Sequence, residues 1–320
     1  MLVFVCETVT GGDYAGDELP EELIAEGALM RDALVGDLED LPGVRVVTTH
    51  DARLDPPPRG ESRAIGPQDD IRAIWSDLAG QAHCCWPVAP EMDDILALLV
   101  GQLRARNGRV IACDEETLRI GASKRRTAEV LAAAGIPVVP TWRPQDVPAG
   151  TPGPLVMKPD DSVGAMDVRL FPDLPAGPYP DGIIAQPLVE GGAASLTLLC
   201  QSGRTHALTA NRQHVILADG RFRFEGVTVG GIALTDGLRD LAARIGAALP
   251  GLHGIVGVDY IATTDGPVVV EVNPRLTTSY AGLRAALGVN PLAFVAELIR
   301  DGAVPDLPHL PPALPVEVRL

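Results

Sequence analysis

Along the first third of the chain the apolar positions switch repeatedly between two spacings. LVFVCE (residues 2–7), five apolar residues followed by Glu7, reads as an opening strand. From Glu21 to Asp40 a helix is expected, with apolar residues at Leu23, Ile24, Ala28, Leu34, Val35 and Leu38. VRVVTT predicts the next strand. A loop at Pro56-Pro57-Pro58 follows, then a helix over Ile71–Leu78, a strand in AHCCWPV, a helix over Asp93–Asn107 and a strand in RVIACD. Strands alternating with helices predict a parallel sheet covered by helices, a Rossmann-like unit over residues 1–114. Gly11-Gly12 follows the first strand, but no G-x-G-x-x-G is present, so a dinucleotide fingerprint is not supported.

From residue 115 the pattern changes. Ser123 is placed to cap a helix reaching Ala134, which Gly135 and Pro137 stop. PLVMKP, MDVRLF, GIIAQPLV, ASLTLLC, THALTANRQHVI, IVGVDYIAT and PVVVEVN predict strands, with one helix near Leu238–Leu249. The expected fold class is α/β, becoming α+β in its later, catalytic part. That part divides into a central unit (115–185) and a C-terminal unit (186–320). No repeat of solenoid spacing is visible.

Composition narrows the function classes. Of 320 residues 46% are hydrophobic and only 4% aromatic, so the core is mostly aliphatic. A net charge of −16 opposes binding to nucleic acid or to an anionic membrane. No run approaches ~20 apolar residues, and the amino terminus lacks the basic lead of a signal peptide. Five cysteines at irregular spacing are no disulfide framework; a reducing cytoplasm is expected. His83-Cys84-Cys85 lies in an apolar strand-like run without a second ligand pair, and reads as core rather than zinc. The expected partners are small molecules.

The chemistry concentrates in GVDYIATTDGPVVVEVNPR. Two strands flank Thr264-Asp265-Gly266, a composition suited to a three-residue hairpin with Gly at its end. That register sets Asp259 opposite Glu271, with Asn273 on the same face and Val258, Val270 and Val272 on the other. Carboxylates held this close repel unless a cation sits between them. Hard oxygen ligands with room for water and phosphate suit Mg2+. A solvated sheet face would show the same residue types. Lysine usage adds to the metal reading: only two of the 26 basic side chains, Lys124 and Lys158, are lysines, and lysine is the compact point charge that reaches a phosphate in a narrow slot.

Lys124 in a helix, Lys158 in VMKP before a small-residue loop, the hinge AQPLVEG, and Asp259, Glu271 and Asn273 occur in the order of the ATP-grasp ligase superfamily. The chain resembles that family over about residues 115–289. The resemblance implies an ATP-grasp fold behind the N-terminal α/β unit, with ATP and Mg2+, as two ions for which Mn2+ substitutes. Lys124 and Lys158 would hold the phosphates and the loop Asp160–Met166, including Asp161, Ser162 and Gly164, would cover them. Gln186, Leu188 and Val189 would meet the adenine edge, and Asp259, Glu271 and Asn273 the metal. In three places the sequence departs from the family pattern. The loop has one glycine, Gly164. Ala193 stands where an acidic ribose ligand is common, leaving Glu190 as a replacement. Gly257 stands where some relatives carry an arginine, so Arg275 and Arg212 become the candidates facing the transferred phosphoryl group.

The implied reaction joins a carboxylate to an amine through an acyl phosphate, with ADP and phosphate as products and no side-chain nucleophile. ETVTGG, EGALMRDALVGDL, VAPEMDDIL, NRQ and EVNPRLTTSYAGLRAALGVNP further resemble the ATP-grasp enzymes of methanofuran and methylofuran synthesis. That likeness implies activation of the γ-carboxylate of L-glutamate, tyramine or tyrosine as the amine, and Arg212, Arg275 or Arg284 as the clamp on the α-carboxylate. Thr277, Thr278 and Ser279 supply either substrate hydroxyls or a helix cap. Another amino acid and amine pair, a small-molecule kinase and a nucleotide-binding regulatory protein remain as alternatives, and the oligomeric state, a homodimer in many small ligases of this kind, stays open.

Overall fold

The computed structural model describes residues 1–299, 307 and 310–320; the remainder of the C-terminal unit (186–320) lies outside the described residues. LVFVCE forms β1 (Leu2–Glu7), followed by α1 (Glu21–Glu39) and β2 (Arg45–Asp51). Next come β3 (Glu61–Ile65), α2 (Ile71–Gln81), β4 (Cys84–Val88) and α3 (Ile95–Arg104). The four strands make a sheet in the order β3-β2-β1-β4, and every pair is parallel. The expected parallel sheet is present, with two differences. Residues 61–65 form an edge strand whose side chains are mostly exposed, which is why no apolar pattern marks it. RVIACD contributes only a bridge between Val110 and Cys85. The expected start of the third helix shifts from Asp93 to Ile95, because Asp93 and Asp94 sit at positive φ of 51° and 57°.

Two short helices, α4 (Glu115–Gly121) and α5 (Lys124–Ala133), lead into the second sheet. Both have side-chain N-caps: Asp114 accepts from the Thr117 N–H and Ser123 from the Arg126 N–H. The strands β5 (Leu155–Pro159), β6 (Arg169–Phe171), β7 (Ile183–Pro187), β8 (Gly192–Gln201), β9 (Arg204–Ala218) and β10 (Arg221–Ile232) follow. After α6 (Asp236–Ala248) come β11 (Gly254–Thr263), β12 (Gly266–Asn273), α7 (Tyr280–Leu287) and β13 (Val316–Arg319). The order is β12-β11-β8-β9-β10-β6-β5-β7, with β13 on β10, and the strand pairs are antiparallel. The line drawn between residues 185 and 186 runs through β7, which pairs along its length with β5.

The segment from Pro137 to Trp142 joins the two edges of this sheet. Val139 donates to Val269 on β12 at 2.8 Å, and Trp142 exchanges bonds of 3.0 and 2.8 Å with Ala185 on β7. Backbone hydrogen bonds thereby bring both edges around one cleft. The apolar cores are shared with the first sheet. One contains Phe4, Leu99, Leu131, Leu198, Ile245 and Val258; the other contains Val5, Leu34, Trp86, Tyr280 and Leu283. Burial in common cores fixes the N-terminal sheet against the back of the antiparallel one.

Candidate active site

The cleft floor is a polar grid set by strand register. Glu271, Asp259, Ser195 and Asn211 are directly paired across β12, β11, β8 and β9, and Asn273, Gly257, Thr197 and Thr209 form the next row. Asp259 stands opposite Glu271 as expected, but by a different route. The turn holds two residues, since Thr263 pairs with Gly266, and a bulge at Val270 restores the register before Glu271. Val270 consequently faces the cleft, and Val269, 1% exposed, takes the core position expected for it.

The Asp259 carboxylate accepts from Gln213 Nε2 at 3.0 Å and from Asn273 Nδ2 at 3.3 Å. Burial and the neighbouring Glu271 raise its pKa well above the usual carboxylate range. Burial pushes Glu271 the same way, but Lys124 and Lys158 outweigh it and hold Glu271 ionised, below the usual range. Among the described residues no group of three or more His, Cys, Asp or Glu side chains is arranged to hold a metal. An ion at Asp259, Glu271 and Asn273 therefore needs phosphate or water oxygens to complete its shell. Two mutually repelling carboxylates and an amide fit such an ion.

Above the floor stand the two lysines, 6% and 7% exposed. Lys124 Nζ lies 3.2 Å from Glu271 Oε2 and 2.5 Å from the Ser162 carbonyl. Burial lowers Lys158 to about 8, against the opposing pull of Glu271. Asp160 ties the loop to the start of α5, accepting from Ser123 Oγ at 2.6 Å and from the Arg125 N–H at 2.9 Å. Beyond it the loop leans on the N-terminal unit: Val163 packs with Val9 and Leu23, and Met166 joins them. Gly164 adopts φ 62°, a conformation that favours glycine.

The cavity enclosed by these elements measures about 370 Å³. Lys124, Lys158, Ser162, Gly164, Gln186, Leu188, Val189, Asp259, Glu271, Asn273 and Arg275 all line it. Gln186 is buried and donates to Thr141 Oγ1 at 2.8 Å. Four expectations are corrected. Asp161 turns away to accept from the Asp93 N–H, and Glu190 is exposed outside the lining. Arg212 is exposed on β9, one residue out of step with Asn211 and Gln213, so strand alternation puts it on the opposite face. Arg284 is held by Asp37 and Asp40 between α7 and α1.

Arg275 does face the cleft, paired through Nε with Glu91 at 2.7 Å. Thr278 donates to Glu26 on α1, and Ser279 makes no capping bond to α7, so these hydroxyls serve the cleft wall rather than the helix end. A Cβ on Gly257 would lie 2.5 Å from Thr277 Cγ2; the threonine fills the space where an arginine would stand. The residues missed by sequence reasoning are Gln213, Ser195, Asn211, Glu26 and Glu91. The signal for Gln213 was already in NRQ, because a period of two joins it, not Arg212, to the face of the aspartate.

An antiparallel sheet brought around a lysine-roofed, carboxylate-floored cleft, behind a parallel sheet that shares its cores, defines an ATP-grasp protein. Residues 121–279 match the ATP-grasp domain family and residues 44–118 the pre ATP-grasp 3 domain family. The chain belongs to the ATP-grasp superfamily. Among characterised proteins it is similar to tyramine–L-glutamate ligase of Methanocaldococcus jannaschii, 30% identical over 197 residues that make up 62% of this chain and 57% of the relative. The match thus spans little more than half of that relative's length. The fold is that of an ATP-grasp superfamily protein from Archaeoglobus fulgidus, with a TM-score of 0.71 and 21% identity over 90% of this chain and 85% of the other. An L-amino acid ligase from Bacillus licheniformis superposes with a TM-score of 0.61 and 16% identity over 95% and 77% of the two chains.

Proposed function

We propose that the protein is an ATP-dependent ligase that joins a carboxylate to an amine, the carboxylate being the γ-carboxyl group of L-glutamate and the amine tyramine or tyrosine. The observation that carries the ATP half is the apposition of two buried lysines with Asp259 and Glu271 across one cleft. Burying like and unlike charges together is costly unless a polyanion and a cation complete the set. The substrate half rests on the likeness to tyramine–L-glutamate ligase.

In this reading Lys124 and Lys158 neutralise the β- and γ-phosphates, and Gln186 with the backbone of Leu188 and Val189 receives the adenine edge. Asp259, Glu271 and Asn273 would hold Mg2+, which supplies charge neutralisation on the phosphate oxygens when bound. A carboxylate oxygen of the acceptor attacks the γ-phosphorus, the bond to the bridging oxygen breaks, and ADP leaves. The amine nitrogen then attacks the acyl carbon, expels phosphate and loses a proton. Arg275, its charge partly balanced by Glu91, faces the acyl phosphate oxygens. The protein's contribution is alignment and charge, as phosphoryl transfer requires.

The test is ADP release from ATP and Mg2+ with L-glutamate, with and without tyramine or tyrosine, the products identified by mass. Amine-dependent ADP release with a glutamyl amide is the expected result. ADP release with a stable phosphate ester instead would make the protein a kinase, and no ADP with any amine would overturn the glutamate and tyramine assignment.

A further inference from the structure

The floor continues past the aspartate into an apolar gallery that the residues assigned so far leave unused. Gln213, bonded to Asp259, is followed two residues along β9 by Val215, which shares its face and is 37% exposed. Val215 pairs directly with Phe224 on β10, and Phe222 lies two residues before Phe224 on that same face. The Phe222 N–H donates to the Val168 carbonyl at 3.0 Å. Arg169 pairs with Met157, so one further step in that register sets Val168 beside Lys158. Val168, Val215, Phe222 and Phe224 all line the cavity. A continuous apolar strip therefore runs from the metal aspartate's hydrogen-bond partner round to the phosphate lysine.

Adenine is not what this strip fits. Its proposed contacts, Gln186, Leu188 and Val189, lie on and just after β7, which pairs with one edge of β5, while β6 and the gallery lie on the other. A carboxylate group fits no better. Along β10, Arg221, Arg223 and Glu225 alternate onto the opposite face, so the hairpin face in the cleft carries no charge. The cleft arginine, Arg275, is held by Glu91 of the N-terminal unit, apart from the hairpin. Two phenylalanines and two valines half open to a cleft gain most by covering a ring.

Resting on the ligase reading above, we propose that Val168, Val215, Phe222 and Phe224 bind the aromatic body of the amine substrate and select for it, with the nitrogen directed toward the Gln213 end, where Asp259 and the phosphates meet. Phe222 is a specificity residue here and takes no part in bond making.

Two titrations test this with full-length protein holding Mg2+ and a non-hydrolysable ATP analogue, using tyramine and, as a polar control, ethanolamine. Phe222→Ala weakens tyramine about tenfold, the loss of one ring contact, and leaves ethanolamine and the nucleotide analogue unchanged. Phe222→Trp, which fills the gallery without removing apolar surface, weakens tyramine as well. Unchanged tyramine affinity in both variants, or a wild type that binds tyramine no tighter than ethanolamine, overturns the proposal. In the ADP assay the same variants raise the KM for tyramine and leave that for ATP. If wild-type protein releases no ADP while tyramine binding still depends on Phe222, the ligase reading falls and the aromatic subsite stands.

Discussion

The floor and the roof of the cleft are held in place by different means. On the floor, Asp259, Glu271, Ser195 and Asn211 are positioned by backbone pairing, and each strand's register fixes which side chains share a face. The roof loop has no such ladder. It is held by Asp160 at the start of α5, by the Lys124 bond to Ser162, and by Val163 and Met166 resting on Val9 and Leu23. Breaking a floor contact therefore removes chemistry from a rigid frame. Breaking a roof contact should loosen the loop and leave that frame in place.

The largest effect is expected on the floor. Glu271→Gln keeps the shape but removes the carboxylate that sits between both lysines and Asp259, and turnover should fall at least about a thousandfold. Stability of the ligand-free protein should fall with it, because two buried lysines lose the carboxylate that balances them, and relief of the repulsion on Asp259 offsets only part of that loss. ADP release and thermal unfolding with and without Mg2+ and ADP measure both. A variant that keeps its Mg2+-dependent protection by ADP would remove Glu271 from the metal site.

Lys158 joins roof to floor and tests the cost of the arrangement. Burial lowers it to about 8 from 10.5. Between those values the unfolded chain binds more protons than the folded one, so this residue makes stability rise with pH there. Below pH 8 the folded chain carries the buried charge at a cost of roughly 3 kcal/mol. Lys158→Met removes that cost. The unfolding free energy of the variant relative to wild type should drop by about that amount between pH 7 and pH 10.5, as measured by denaturant titration of the ligand-free proteins. A pH-independent difference would mean that Lys158 is solvated.

How much of this was legible in the sequence follows the same division. The pairing of Asp259 with Glu271 was readable because a hairpin is local. Even so, the expected three-residue turn is a two-residue turn plus a bulge, two departures that cancel at Glu271 and shift by one residue every pair between the bulge and the turn. Arg212 was misplaced by one residue, which in a strand means the opposite face. The ties between Glu91 and Arg275 and between Glu26 and Thr278 join residues 184 and 252 positions apart. No spacing rule reaches that far. The segments that carry them, VAPEMDDIL, EGALMRDALVGDL and EVNPRLTTSYAGL, stood out only through a family likeness.

The smallest effect belongs to the loop and sharpens the comparison most. Val163 is 8% exposed and packs with Val9 and Leu23. Val163→Ser exchanges its methyl groups for a hydroxyl in that cluster, a loss of about 1–2 kcal/mol. Because the cluster bridges loop and N-terminal unit, the loss falls on loop docking more than on global stability. The KM for ATP should rise by a factor of about ten, with little change in kcat once the loop is docked over nucleotide. Amide exchange in residues 160–168 should quicken while residues 254–273 keep their protection, since the β11–β12 hairpin owes nothing to Val163. Equal acceleration in both segments would show that roof and floor form one cooperative unit, and the division between them would have no mechanical meaning.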